Sequence, residues 1–225
     1  EYSNFLASLG VEAREFIPVS AKLGTNIAEL KDEIPWYKGP TVLNMLDQFE
    51  KKPRPDHLPF RFPVQDVYKF DQRRIIAGRV ESGKIKVGDR VIFSPSNKNA
   101  VVQTIESWSV PEQPNSATSS ESIGFTLDEQ IFVERGDVCT LMNELPIVST
   151  TFDANVFWMG KRKLEKGRQF TIKLNTQEVE CEVHEFKKAI DASTLETLSN
   201  QEYIAKNDVA ELTLKTRSPV AFDLF

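Results

Sequence analysis

Two stretches of the sequence follow one plan: Lys86-Val-Gly-Asp-Arg-Val-Ile-Phe93 and Glu165-Lys-Gly-Arg-Gln-Phe-Thr-Ile172. In each, a glycine turn leads into a strand of alternating side chains. A second pair repeats the correspondence, because Arg135-Gly-Asp-Val138 parallels Lys206-Asn-Asp-Val209. Short strands separated by such turns are typical of small barrels. The double occurrence therefore favours two barrels of related design over one large sandwich.

The period-2 pattern runs from residue 60 to the end of the chain. For the first barrel it predicts strands at 60–68, 75–80, 90–93, 101–106, 122–126 and 138–142, with a solvent loop at 109–122. For the second it predicts strands at 155–159, 169–174, 178–186 and 209–216. Within 178–183, Val179, Cys181 and Val183 are predicted to face the core, because a one-residue slip would bury three carboxylates instead.

The first 50 residues read as the end of an α/β domain. The pattern predicts a helix at 2–9, a buried strand at 15–20, and a short helix at 26–33 capped by Thr25 or Asn26. It also predicts a helix after Pro40, with apolar contacts from Leu43, Met45, Leu46 and Phe49. Lys51-Lys-Pro-Arg-Pro55 cannot continue that last helix. The predicted domains are 1–50, 51–148 and 149–225, which makes the fold class mainly β, with two small barrels after an α/β remnant.

Composition excludes several classes of protein. The 225 residues are 40% hydrophobic and 27% charged, with a net charge of −5. No apolar run reaches the length of a membrane span, and the negative charge argues mildly against non-specific nucleic-acid binding. Cys139 and Cys181 lie far apart without a Cys or His at ligand spacing, so they are predicted to be small apolar strand residues. The native N-terminus is expected to lie outside this sequence, because residue 1 starts inside a predicted helix.

Three features resemble functional sites and have simpler interpretations. Arg135-Gly-Asp137 has the letters of an adhesion tripeptide, but a turn before a strand explains it better. The row of Glu178, Glu180 and Glu182 could bind a cation, although such a face is usually only solvated. The two histidines, His57 and His184, have no apparent nucleophile as partner and are predicted to be structural or surface groups.

The loop Ser20-Ala-Lys22 follows the predicted strand and is a stronger candidate. Ligands of doubly wound sheets bind where loops leave the carboxyl ends of strands. Backbone N–H groups there can point at a ligand carbonyl, and a lysine stem can lie on a ring face. An ordinary strand-to-helix loop remains the alternative on these residues alone.

Longer motifs add a resemblance. Phe16-Ile-Pro-Val-Ser-Ala-Lys22 resembles the last guanine-recognition element of translation-factor GTPases, and Ile34-Pro-Trp-Tyr-Lys-Gly-Pro-Thr-Val-Leu43 resembles their connector into the barrels. The stretches 60–67 and 77–89 resemble the first strands and turns of their second domain. The motifs stand in the family's order and cover nearly the whole chain.

Three further stretches resemble one branch of that superfamily, the large GTP-binding subunit of bacterial sulfate adenylyltransferase. They are 128–138, which ends in Arg-Gly-Asp-Val, Asn155-Val-Phe-Trp-Met159, and Ile190-Asp-Ala-Ser-Thr-Leu195 together with 206–212. The sequence departs from the family at 109–122, where Ser120 precedes Glu121. The phosphate-binding loop, the switch regions, the Asn-Lys-x-Asp element and the final strand of the third domain are not in this sequence.

The resemblance implies a cytoplasmic GTPase subunit that couples GTP hydrolysis to the formation of adenylylsulfate from ATP and sulfate by a catalytic small subunit. Ser20, Ala21 and Lys22 would border the guanine of GTP, which the parent protein would bind with Mg, and the barrels would contact the small subunit. We expect no catalytic residue, metal or GTPase activity in this sequence alone, and no membrane partner. The alternative is an elongation-factor-like GTPase whose barrels bind aminoacyl-tRNA, and its best support is the cluster of Lys161, Arg162, Lys163, Lys166 and Arg168. An adhesion or scaffold protein built on Arg135-Gly-Asp137 is a third reading.

Overall fold

The computed structural model of the protein describes residues 3, 6–7, 12–50, 53–70, 72–190, 197–198 and 202–224. The chain divides into two compact units, Glu1–Pro53 and Arg54–Phe225. The predicted helix at 2–9 falls mostly outside the described residues, of which Ser3, Leu6 and Ala7 are helical. The three predicted domain bounds stay a prediction.

One helix, α1 (Val42–Asp47), is the only complete helical element that the described residues contain. Its N-cap is Thr41, whose side chain accepts from the Asn44 amide while the Asn44 side chain accepts from the Thr41 amide. This reciprocal capping box explains why the helix after Pro40 starts where it does. The predicted apolar contacts were wrong in part, because Leu43, Leu46 and Phe49 are exposed, whereas Met45 is half-buried.

The predicted helix at 26–33 was also wrong, since these residues form turns. Asn26 has a φ of 58°, which neither a helix interior nor an N-cap adopts. Its buried side chain donates to the Pro18 carbonyl (3.0 Å) and accepts from the Lys31 amide (3.3 Å). These local bonds compete successfully with helical ones. The predicted strand at 15–20 has no ladder partner among the described residues, apart from the bridge of Ser20 to Thr25.

The second unit is built from β-strands, which confirms the mainly β fold class. Its first sheet closes into a barrel in the order β1-β2-β7-β5-β4-β8. The strands of this part, including the separate pair β3 and β6, are β1 (Phe62–Lys69), β2 (Arg74–Arg79), β3 (Lys84–Lys86), β4 (Arg90–Ser94), β5 (Lys98–Glu106), β6 (Ser116–Thr118), β7 (Ser122–Leu127) and β8 (Val138–Leu141). All six predicted strands are confirmed. The predicted solvent loop at 109–122 was wrong in part, because β6 lies within it and Ala117 and Ser119 are buried.

The barrel interior is filled by aromatic side chains. Phe62, Phe93 and Phe125 have no exposed surface, and the rings of Phe62 and Phe125 meet edge to face at 5.1 Å. Such pairs add a specific geometry to the burial of a large apolar area. The interior of the barrel is therefore a packed core rather than a ligand cavity.

The second sheet is barrel-like but open in its hydrogen bonding, with the order β11-β12-β15-β9 and β13 beside β12. Its strands, with the short pair β10 and β14, are β9 (Ile147–Phe157), β10 (Leu164–Glu165), β11 (Gln169–Leu174), β12 (Gln177–Ile190), β13 (Thr197–Leu198), β14 (Tyr203–Ile204) and β15 (Val209–Phe222). Val179, Cys181 and Val183 are buried, which confirms the predicted register. A bulge at His184 interrupts the pairing of β12 with β15.

The turns that suggested a repeated plan share one hydrogen-bond pattern. Three of these four-residue turns, at 86–89, 134–137 and 205–208, end in an aspartate. The backbone amide of that aspartate donates to the carbonyl of the first residue of the turn. Its carboxylate accepts a hydrogen bond from the backbone amide of the same first residue. The third residue has a positive φ in each case: Gly88, Gly136 and Asn207. The turn 165–168 keeps the backbone bond and the positive φ of Gly167 without the aspartate. A glycine or asparagine is needed at the third position because other side chains resist that conformation.

Asp137, the end of the Arg-Gly-Asp tripeptide, serves one of these turns. Its side chain is 7% exposed and accepts from the Ser96 hydroxyl (3.0 Å) and the Glu134 amide (3.3 Å). Arg135 donates to the Gln65 carbonyl (2.9 Å). The turn interpretation is confirmed, and a buried aspartate cannot be presented to an adhesion receptor.

A partly buried arginine joins the two sheets. Arg61, just before β1, donates through Nε and Nη2 to both carboxylate oxygens of Asp223 (2.8 and 2.7 Å). Its Nη1 donates to the carbonyls of Phe60 (2.9 Å) and Glu144 (2.7 Å). The Arg61 side chain is only 11% exposed. Gly136 provides a second contact between the sheets, since any Cβ there would lie 3.3 Å from the Cα of Gln177 at the start of β12.

We predict that Arg61→Ala lowers the free energy of unfolding by about 2–3 kcal/mol, because it removes a bidentate pair and the donor to two partly buried carbonyls. Urea titration measures this change. Arg217→Ala is the matched control, since Arg217 makes an exposed pair with Glu180 (2.9 Å), and we expect it to cost about 0–1 kcal/mol. Equal losses in the two variants would contradict the role assigned to Arg61.

Asp137 gives a prediction about pH. Burial raises the pKa of Asp137 although Glu134 and Ser96 donate to its carboxylate. The folded chain therefore binds this proton more tightly than the unfolded chain, and the Asp137 contribution to stability falls as pH rises above about 4. Asp137→Asn keeps an acceptor without the charge, so its unfolding free energy at pH 7 should equal or exceed that of the parent. A loss of more than about 1 kcal/mol at pH 7 in urea titrations would show that the negative charge itself stabilises the turn.

Candidate functional site

The predicted guanine-binding residues Ser20, Ala21 and Lys22 lie together in one tight loop. The backbones of Ser20 and Thr25 exchange two hydrogen bonds (3.4 and 3.2 Å), which close the loop at its base. Lys31 Nζ donates to the Leu23 carbonyl (2.6 Å) and holds the tip. Gly24 adopts a φ of 68°, as the reversal requires.

The loop presents hydrogen-bond donors outward. Ala21 and Lys22 are exposed, and their backbone amides donate to no residue that the structure describes. Two neighbouring N–H groups without acceptors suit a carbonyl oxygen on a ligand. The Lys22 ammonium is likewise without an ion pair within the described ranges. The loop has the donors that the guanine prediction requires, and the role of these three residues remains a prediction.

A second concave site was missed by sequence reasoning. A cleft of about 180 Å³ lies at the side of the first barrel. Its floor is apolar, formed by Val67, Ile76, Leu127, Ile131 and Val133. These residues come from three separate parts of the chain, so no local pattern marks them.

The rim of this cleft carries charges of both signs. Arg73 pairs with Glu106 (3.1 Å), which also accepts from the Thr104 hydroxyl (3.1 Å). Arg74 and Glu129 line the cleft as well. An apolar floor with a mixed rim fits a small apolar group with polar ends, and it does not form a continuous basic groove.

The five cations of 161–168 form a rigid loop, here called the basic loop. Trp158 holds it, because the indole Nε1 donates to the Arg162 carbonyl (2.6 Å) and the indole packs edge to face on Phe170 at 5.6 Å. The backbone of Trp158 is itself bonded to the turn at 205–208 (2.9 and 2.7 Å). The cations are therefore displayed from a fixed backbone.

Two of the five cations already have partners. Lys163 Nζ lies 3.5 Å from the ring centroid of Tyr203. Arg168 pairs with Glu165 at 3.6 Å. Lys161, Arg162 and Lys166 make no side-chain hydrogen bond or ion pair with any residue that the structure describes.

The remaining candidates have structural explanations. In the acidic row, Glu178 pairs with Lys173 (2.7 Å) and Glu180 with Arg217 (2.9 Å), so two of its three carboxylates are neutralised across the strands. No three described His, Cys, Asp or Glu residues are placed to hold a metal ion. His57 and His184 are exposed. No helix in the described ranges is long and apolar enough to cross a membrane.

Both cysteines are free and buried, which confirms the prediction of apolar strand residues. Burial raises the pKa of the Cys139 thiol well above its ordinary value, and nearby Asp137 adds to this effect. Burial also raises the pKa of Cys181. Thiols held protonated in this way are poor nucleophiles and metal ligands.

Comparisons with known proteins point to one superfamily. Residues 151–225 match the family model described as "GTP-eEF1A C-terminal domain-like". The chain is 33% identical to elongation factor 1-alpha of Desulfurococcus mucosus over 98% of its length and 52% of that protein. It is 31% identical to sulfate adenylyltransferase subunit 1 of Shewanella oneidensis over 100% of its length and 47% of that protein. It thus spans about half the length of the curated relatives it matches.

Solved structures agree on the architecture. The crystal structure of sup35 complexed with GMPPNP matches 97% of this chain and 55% of its own, with a TM-score of 0.66 and 25% identity. The two barrel-type sheets, the repeated turns and these relatives lead to one conclusion. The chain belongs to the translation-factor-like GTPase superfamily.

Proposed function

We propose that this chain is the barrel-bearing part of a GTP-binding subunit of sulfate adenylyltransferase, which couples GTP hydrolysis to adenylylsulfate formation from ATP and sulfate. Relatives named as that subunit and relatives named as elongation factor 1-alpha are about equally similar to it. The similarity alone does not choose between them. Charge distribution is the observation that carries the choice.

Aminoacyl-tRNA binding would require a basic groove across the barrels. The described cations do not form such a groove on their own charge, because seven of them already pair with carboxylates. These seven are Arg54, Arg61, Arg73, Arg168, Lys173, Lys187 and Arg217. The chain as a whole has a net charge of −5. This pattern favours a protein partner over a polyanionic nucleic acid.

In the proposed function the loop of Ser20, Ala21 and Lys22 binds the guanine edge of GTP. The unpaired amides of Ala21 and Lys22 would donate to the base oxygen, and the Lys22 stem would lie on the ring. When bound with its Mg, GTP supplies the free energy that its hydrolysis releases. The groups that hold its phosphates would belong to other parts of the parent protein. The described residues thus contribute recognition of the base.

Adenylylsulfate formation is uphill, so coupling it to a second nucleotide is chemically reasonable. Coupling requires that the bound nucleotide, GTP or GDP, alter either how tightly this protein binds the catalytic subunit or the conformation of that subunit. The second unit can transmit such a change because Arg61 holds its two sheets together. If the two sheets could move independently, a conformational change at one of them would not reach the other.

The second candidate function is aminoacyl-tRNA binding, and the basic loop is the observation that favours it. Lys161, Arg162 and Lys166 are unpaired within the described residues, and phosphate groups are possible ligands for them. The two functions differ in their partners, so one binding experiment separates them.

We predict that the full-length parent, immobilised through an affinity tag, retains the catalytic small subunit from a cell extract of the same organism in about equal amounts. Immunoblotting or mass spectrometry of the eluate identifies that subunit. Tight binding of aminoacyl-tRNA that weakens steeply between about 50 and 200 mM salt, with no small subunit retained, would contradict the proposal and support the second candidate.

A further inference from the structure

We infer that the basic loop, 161–168, together with the exposed apolar residues Phe157 and Met159, is a docking surface for an acidic protein face. The inference rests on the proposed function, and the face is accordingly assigned to the catalytic subunit. It goes further than that function by naming the surface used and the chemistry of the partner.

The charge of the basic loop is opposite to that of the chain. Its eight residues hold five cations and one carboxylate, whereas the whole chain has a net charge of −5. A local positive surface on an acidic protein attracts a complementary negative one and orients it during encounter. The three unpaired side chains of Lys161, Arg162 and Lys166 are available for this without breaking an ion pair in the described structure.

The loop is also preorganised. The Trp158 indole bond to the Arg162 carbonyl fixes the middle of the loop, and Lys166 donates its backbone amide to the Glu202 carbonyl (3.0 Å). Gly160 lies so close to the Trp158 ring that any Cβ would overlap it. A fixed backbone lowers the conformational entropy lost when a partner binds.

Apolar residues beside the cations favour a protein over a polyanion. Met159 is 72% exposed and Phe157 is 53% exposed, and they lie two and four residues before the start of the basic loop. A phosphate backbone offers little that would bury them, whereas a protein interface combines an apolar centre with a charged rim.

The test uses the full-length parent and the purified catalytic subunit. In the first variant Lys161, Arg162 and Lys166 are all replaced by alanine. In the control variant the same change is made at Lys69, Lys84 and Lys86, which are exposed on the first barrel and change the net charge equally. Isothermal titration calorimetry at low and physiological salt gives the dissociation constants, and thermal melts verify that each variant is folded.

We expect the basic-loop variant to bind the catalytic subunit at least about tenfold more weakly and with a smaller salt dependence, because three rim charges are lost. The control should stay within about twofold of the parent. Met159→Ser should weaken binding by about threefold or more through lost apolar burial. Loss in the basic-loop variant and in Met159→Ser, but not in the control, supports the inference.

Other results would overturn it in distinguishable ways. If the parent and the basic-loop variant bind the catalytic subunit equally well, the docking surface lies elsewhere while the proposed function stands. If the parent does not bind the catalytic subunit, the proposed function fails and the assignment fails with it. If only binding of bulk tRNA or of anionic phosphatidylserine vesicles is lost in the basic-loop variant, and Met159→Ser is without effect, the basic loop is a polyanion site.

Discussion

The arrangement of the two sheets in the second unit depends on the hydrogen bonds of the Arg61 guanidinium. Its four nitrogen–oxygen hydrogen bonds reach the end of β15 through Asp223, the connection before β9 through Glu144, and the entry to β1 through Phe60. Neither sheet supplies all of these acceptors. Because Arg61 is 11% exposed, its desolvation is compensated only when both sheets are in place. The close approach of Gly136 to Gln177 at the start of β12 works in the same direction, since a Cβ at position 136 would make a tight contact there.

Under the proposed function, the joined pair of sheets would move as one body when the nucleotide state changes. The Ser20–Lys22 loop has backbone donors, unpaired within the described residues, for the proposed ligand, and the basic loop has cations for the proposed partner. Rigid elements transmit a change of state between distant contacts better than flexible ones do. The interior of the first barrel holds packed phenylalanines, so the useful surfaces lie on its outside and at its loops.

Much of this fold follows from the sequence because strands and turns are specified locally. The alternation of Val179, Cys181 and Val183 with glutamates determined the register of β12, and the Gly-Asp pairs marked the turns before β4 and β8. The sequence-based predictions of secondary structure were wrong where contacts between residues distant in the sequence determine the local structure. A side-chain network through Asn26 replaced the expected helix at 26–33, and pairing with β3 made a strand within the expected loop. The cleft beside the first barrel was not predictable, because its floor joins residues from separate strands.

The most direct test of the account is the dependence of adenylylsulfate synthesis on GTP. The full-length parent and the catalytic subunit are supplied with ATP and sulfate, and adenylylsulfate is measured with and without GTP while GTP hydrolysis is followed in parallel. We predict that adenylylsulfate accumulates well beyond the amount formed without GTP, and that a non-hydrolysable GTP analogue does not replace GTP. Equal adenylylsulfate in all three conditions would contradict it.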